Sequence, residues 1–132
     1  MLVANQRISE HLIYSEARCG CQRCDGGHLH WTVVWLFERI RARCSERLGR
    51  DCPIRVNSGA RCALQNRFVG GSTGSKHLDG WALDLKTPRG LTRDEFWYLC
   101  EGEVRDGGLG KYTWGCHVDV YRADPHRRWD ET

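Results

Sequence analysis

Ser75-Lys76-His77-Leu78-Asp79-Gly80-Trp81-Ala82-Leu83-Asp84 decides how this chain is read, together with Cys116-His117-Val118-Asp119-Val120 further on. The end of the first stretch alternates, with Trp81, Leu83 and Leu85 on one face of a strand over 81–86 and Ala82, Asp84 and Lys86 on the other. Its beginning closes a segment, 68–80, in which Gly70, Gly71, Gly74 and Gly80 mix with Ser72, Thr73 and Ser75, the composition of a shaped loop that carries His77. A strand over 116–121 puts His117, Asp119 and Tyr121 on one face and Cys116, Val118 and Val120 on the other. Paired in one sheet, these strands send their apolar faces into a core and stand Asp84 beside His117, with His77 brought over them by the loop. Two imidazoles and one carboxylate are the ligand set of a catalytic zinc that keeps a fourth position open. Such a site keeps enough positive charge to act as a Lewis acid and to bring the pKa of a bound water to about 7. His77, Asp84 and His117 are therefore the expected metal ligands of a metallohydrolase. The same residue types at this spacing also occur as unrelated surface residues, so the surrounding blocks decide.

Upstream, Val33, Leu36, Phe37, Ile40, Cys44 and Leu48 recur at three- and four-residue steps, and Gly49 follows as a stop, which predicts an amphipathic helix over 32–48. A short strand is expected over 53–57, where Ile54 and Val56 alternate with Arg55 and Asn57 before the break at Ser58-Gly59. Downstream, Thr92 and Glu95 fit a capping box, and Phe96, Leu99, Cys100 and Val104 continue a helix that ends by Gly107-Gly108. Strands over 109–113 and 116–121 are joined through Trp114-Gly115. The first thirty residues lack clear periodicity and read as a cysteine-containing loop segment, and 123–132, with Pro125 and mixed charges, reads as a surface tail. The fold class is α+β, a small antiparallel sheet with flanking helices.

A chain of 132 residues suits one domain, 1–132, with a real core. Its 40% hydrophobic and 28% charged content is that of a soluble globular protein, and no stretch approaches the run of about 20 apolar residues needed to span a membrane. The net charge of +3, from 20 basic and 17 acidic side chains, is spread out; it argues against a nucleic-acid groove and mildly for an anionic polymer as partner. The first eight residues lack the basic start and apolar core of an export signal, so synthesis in the cytoplasm and mostly free thiols are expected, with bridges the alternative after release into an oxidising space. A monomer is expected.

Ser58-Gly59-Ala60-Arg61, Asn66-Arg67-Phe68-Val69-Gly70-Gly71, the Ser75 to Asp84 stretch, Gly108-Leu109-Gly110-Lys111-Tyr112 and His117-Val118-Asp119-Val120 follow one another as successive blocks. In that order they resemble the zinc D-Ala-D-Ala carboxypeptidase family, which includes phage endolysin peptidases and D-Ala-D-Ala dipeptidases and shares its fold with the hedgehog signalling domain. The likeness also touches Ser15-Glu16-Ala17-Arg18-Cys19 and runs from about residue 8 to 121. It implies zinc held by His77, Asp84 and His117, a substrate-facing Arg61, and hydrolysis of a peptide bond in peptidoglycan stem peptides. A guanidinium at Arg61 suits either a terminal carboxylate or a developing oxyanion. Ser75 can orient the loop through a backbone hydrogen bond or meet the substrate.

The chain departs from the pattern twice. Ala60 stands where the family usually has an aromatic, and Trp114 stands three residues before the last histidine, where several branches carry a catalytic acid. Asp119 is then the first candidate for the general base, with a role orienting His117 as the alternative. Absence of the usual acid also leaves open a non-catalytic, zinc-stabilised cell-wall or phage-particle binding module. Without an export signal, a lysis enzyme that reaches the wall or periplasm after release is the expected setting. Cys19, Cys21 and Cys24 with His28 or His30 carry the donor types of a second, structural zinc, against free thiols or disulfides. Cys62 and Cys116 read as small buried hydrophobes, His11 and His126 as surface residues. Most of the six tryptophans read as core, with Trp114 and Trp129 open to a role as a pocket wall.

Overall fold

The apolar stripe upstream of Gly49 does form a helix, and it is the largest element of the computed structural model, which describes residues 5–132; Met1 to Ala4, the start of the segment read for an export signal, lie outside them. In chain order the elements are β1 (Arg7–Ser9), β2 (Leu12–Ile13), α1 (Tyr14–Ala17), α2 (Trp31–Leu48), β3 (Val56–Ser58), α3 (Ala63–Phe68), a 3-10 turn (Lys76–Asp79), β4 (Ala82–Lys86), α4 (Arg93–Val104), β5 (Leu109–Lys111), β6 (Gly115–Asp119) and β7 (Arg128–Asp130). The fold is α+β. None of the described helices is long and apolar enough to cross a membrane.

Helix α2 ends where Gly49 takes a left-handed conformation (φ 67°), which glycine adopts without steric cost. Helix α4 begins with a reciprocal cap: the Thr92 hydroxyl accepts from the Glu95 N–H at 3.1 Å, and the Glu95 carboxylate accepts from the Thr92 N–H at 2.9 Å. Both helices lay their apolar faces, Val33, Leu36, Phe37, Ile40 and Cys44 from α2 and Phe96, Cys100 and Val104 from α4, against Leu83, Leu85, Leu109, Cys116 and Val118 of the sheet. Each large apolar side chain buried there contributes on the order of 1.5–3 kcal/mol.

The main sheet runs β3-β4-β6-β5-β7, antiparallel except for the parallel pair β5 and β7. Strands β4 and β6 are its centre, and their register sets Asp84 directly opposite His117. With the apolar residues of both strands facing the helices, period two turns Asp84, His117 and Asp119 to the opposite face.

Several expectations are corrected. The first thirty residues are not all loop: a short hairpin, β1 and β2, leads into α1, with Leu12 fully buried, elements too short to leave a periodic trace. The strand expected over 53–57 lies at Val56–Ser58, consistent with Pro53 having no N–H to give a ladder. His77 sits on a 3-10 turn, and α3 had no sequence expectation. The strands expected over 109–113 and 116–121 are shorter, with the turn at 112–114. The tail is no loose extension, since β7 extends the sheet: Leu109 N–H donates to Arg127 O at 2.9 Å and Glu131 N–H to Lys111 O at 2.7 Å. Its two arginines are paired, Arg127 with Asp119 and Arg128 with Glu101 at 2.6 and 3.2 Å. Trp31 and Trp35 are 65% and 60% exposed, so these tryptophans lie outside the core.

Candidate metal centre and its cleft

Asp84 comes from β4, His117 from β6 and His77 from the 3-10 turn, which starts at Ser75: the Ser75 hydroxyl accepts from the His77 N–H at 3.3 Å and so caps the turn. Gly80 closes it in the left-handed region (φ 73°), pressed so tightly on the His28 carbonyl that no Cβ would fit. The result is a convergence of three donor atoms. His77 Nε2 lies 3.1 Å and His117 Nδ1 3.2 Å from Asp84 Oδ1, and all three residues are buried. Donors held about 2.0–2.1 Å from a tetrahedral ion are themselves about 3.3 Å apart, close to the spacing seen.

The outer partners decide which nitrogen faces inward. His77 Nδ1 lies 2.7 Å from the Gly59 carbonyl, which can only accept, so Nδ1 carries the proton and Nε2 presents a lone pair. His117 Nε2 lies 2.8 Å from Asp119 Oδ2, so the proton sits there and Nδ1 turns its lone pair to the centre. Two lone pairs and a carboxylate oxygen packed together repel one another unless a cation or added protons lie between them. The donor set fits a divalent ion such as zinc.

The electrostatics agree. Burial pushes the Asp84 carboxyl up, but contacts with His117 and His77 outweigh it and hold the group well below the ordinary carboxylate range. Burial pushes His117 down, yet hydrogen bonds to Asp119 and Asp84 outweigh it and raise the imidazole above its ordinary value.

Asp119 is placed behind His117, not in the cleft. It is fully buried and accepts from Arg127 at 2.6 and 3.3 Å, from Gly108 N–H at 2.9 Å and from Tyr121 N–H at 3.1 Å. Burial raises its carboxyl, but His117 and Arg127 outweigh that and bring it to about 2. A carboxylate so enclosed has no path to a water in the cleft. Asp119, expected as the general base, thus lies outside the cleft lining, in a position that suits its alternative, orientation of His117.

Arg61 occupies the wall of the cleft with all three nitrogens engaged: Nε on the Ser58 hydroxyl at 3.0 Å, one terminal nitrogen on Asn66 Oδ1 at 3.1 Å, the other on Asp84 Oδ2 at 3.1 Å. Each terminal nitrogen keeps a second N–H. Arg61 thus braces the Asp84 carboxylate and retains donors for another anion.

The three donors line a cleft of about 750 Å³, walled by Arg61, Ser75 and Lys76 on one side and Tyr112, Trp114 and Trp129 on another. Tyr112 stacks on Trp114 with ring centroids 4.8 Å apart, and its hydroxyl accepts from the Trp129 indole N–H at 2.8 Å. Trp129 reaches to 5.1 Å from the His117 ring by lying over Gly110, where any Cβ would overlap the indole.

Residues 10–119 match the peptidase M15 family. The chain belongs to that family. M15 peptidases are the zinc peptidases that the ordered blocks resemble, and comparison with curated proteins gives no match.

Within this M15 chain, residues outside the family match complete the cleft. Trp114, at the position of the acid in several branches, is an aromatic wall. The carboxylates lining the cleft are Asp84 and Glu131, and Glu131 follows β7 in the tail. Glu131 and Arg127 of the cleft lining had no sequence expectation, since nothing local marks a tail as a sheet strand. Sequence reasoning also missed Cys62, whose sulfur joins those of Cys19, Cys21 and Cys24 in a group whose ligand atoms all lie within 4.8 Å of one another; neither His28 nor His30 belongs to it.

Proposed function

We propose that this chain is a zinc-dependent peptidase that hydrolyses a peptide bond in peptidoglycan stem peptides, in the manner of a D-Ala-D-Ala carboxypeptidase or an endolysin endopeptidase, acting at the cell wall or periplasm after release. The carrying observation is the convergence of His77 Nε2, Asp84 Oδ1 and His117 Nδ1, with lone pairs set by Gly59 O and Asp119, on an open cleft.

Zinc bound there supplies Lewis acidity toward an amide carbonyl and toward water. The chain does the rest. Asp119 and Gly59 fix the imidazole tautomers, and Ser75 holds the turn that presents His77. The spare N–H groups of Arg61 receive a peptide carboxylate or the oxyanion, and Lys76 adds positive charge to the same wall. Glu131, the carboxylate of the cleft that no ligand role engages, accepts a proton from the attacking water and returns it to the leaving amine. The aromatic wall of Tyr112, Trp114 and Trp129 packs against the apolar parts of the stem peptide.

Digestion of isolated cell walls by the wild type and His77→Ala, with the masses of released products, tests this reading. New amino and carboxyl termini from the wild type alone are expected, and the product mass names the bond. Zinc-loaded protein that binds walls of several types yet frees no termini overturns it in favour of a binding module.

A further inference from the structure

We propose that Cys19, Cys21, Cys24 and Cys62 form a second, closed zinc site, which ties the N-terminal segment to the stretch bearing Arg61. Four sulfurs about 2.3 Å from a tetrahedral ion have edges of about 3.8 Å. Cys62 Sγ lies 3.7 Å from Cys19 Sγ and 3.8 Å from Cys21 Sγ. All four sulfurs fall within 4.8 Å of one another, and all four cysteines are free thiols.

The backbone around the group is arranged for thiolates. Cys19 Sγ accepts from the Cys62 N–H at 3.3 Å, and Cys21 Sγ from the N–H groups of Arg23 and Cys24 at 3.3 and 3.4 Å. Cys24 Sγ accepts from Gly26 N–H at 3.3 Å, and Cys62 Sγ from Gln65 N–H at 3.4 Å. Every sulfur is thus met by at least one backbone donor, which offsets the negative charge that four thiolates leave around a divalent ion. The Cys-x-x-Cys turn achieves this through Gln22, held at φ 58°, and Cys62 achieves it as the N-cap of α3. Four sulfurs leave no position for water, so the site is structural.

Its placement gives it a task. Cys62 follows Arg61, whose own N–H donates to the His77 carbonyl at 3.0 Å, and Ala60 N–H donates to Ala17 O at 2.9 Å. An ion at the sulfurs therefore anchors the segment that braces Asp84, whether or not the cleft turns over a substrate.

Protein purified after growth with zinc is expected to hold two zinc ions per chain, one lost in Cys21→Ser/Cys24→Ser and the other in His77→Ala/His117→Ala. X-ray absorption of the His77→Ala/His117→Ala protein should show sulfur neighbours at about 2.3 Å. Cobalt-substituted wild type should show thiolate-to-metal charge-transfer absorption, which the histidine and aspartate donors cannot produce. Retention of both ions by the double serine variant, iron in place of zinc, no thiolate band with cobalt, or fewer than eight titratable thiols after denaturation and metal removal would overturn the proposal. None of these outcomes depends on peptidase activity.

Discussion

Two clusters of metal-type donors flank the Arg61-Cys62 peptide, and they are built on opposite plans. His77, Asp84 and His117 hang from a 3-10 turn and two paired central strands, and are aimed from behind by a carbonyl and a buried carboxylate. Cys19, Cys21, Cys24 and Cys62 hang from a loop and a helix cap, and are aimed by backbone N–H groups. The first has three donors and a cleft; the second has four donors, enough by themselves to fill a tetrahedral shell. An open set must hold its geometry with one corner unfilled, so it needs rigid strands and outer partners, whereas a filled set can impose order on a loop. Residue type alone does not make such a cluster. The other four cysteines lie in the core, where burial, with Cys52 and Cys116 nearby, pushes the Cys44 thiol up to about 12 and leaves it inert.

The comparison breaks most sharply at the open set. His77→Ala or Asp84→Asn should abolish wall digestion and remove one zinc per chain while the sulfur-bound ion stays. Metal analysis alongside digestion checks this, and loss of both ions together would show that the clusters are one unit. Glu131→Gln comes next: kcat should fall by about 10²–10⁴ with zinc content unchanged, the loss expected for a proton-transfer group. Unaltered kcat would remove Glu131 from the mechanism.

The contrast also explains what was legible. Helices α2 and α4 and the placing of Asp84 and His117 on one sheet face followed from apolar periodicity, because both faces of β4 and β6 have strict chemical demands. Arg61 and Ser75 could be marked as belonging to the site, but their partners could not. The fourth sulfur and the tail were illegible for a physical reason: Cys62 reaches Cys19 across 43 positions, and β7 is recruited by the edge of β5, neither of which leaves a local pattern. Asp119 was correctly put on the ligand face, yet only the arrangement of Arg127, Gly108 and Tyr121 around it distinguishes a support from a base.

That support carries a smaller, graded prediction. Asp119→Asn keeps the shape of the side chain but removes the charge that fixes the His117 proton on Nε2. Zinc affinity at the open set should fall by about 10–100-fold, the usual cost of losing such an outer partner, while the sulfur site is unaffected. Competition with a chromophoric chelator measures it, and equal affinity for both proteins would reduce Asp119 to packing.

The smallest effect concerns stability in acid. Folding brings the Asp119 carboxyl from an ordinary 3.8 to about 2, since His117 and Arg127 outweigh its burial. Between those values the unfolded chain binds the proton and the folded chain does not, so the stabilisation is complete above the higher value and is lost as pH falls through the lower one. A shift of that size corresponds to about 2 kcal/mol. Asp84, Glu38 and Asp51 are also held below their ordinary values and add to the same acid transition, so the informative quantity is the difference between proteins. Urea denaturation of metal-free wild type and Asp119→Asn should show stabilities that converge as pH falls from about 5 to about 2, because only the wild type loses this contribution. Parallel curves would mean that the Asp119 pKa does not change on folding, and the charge pairing with His117 and Arg127 assigned to it would fail.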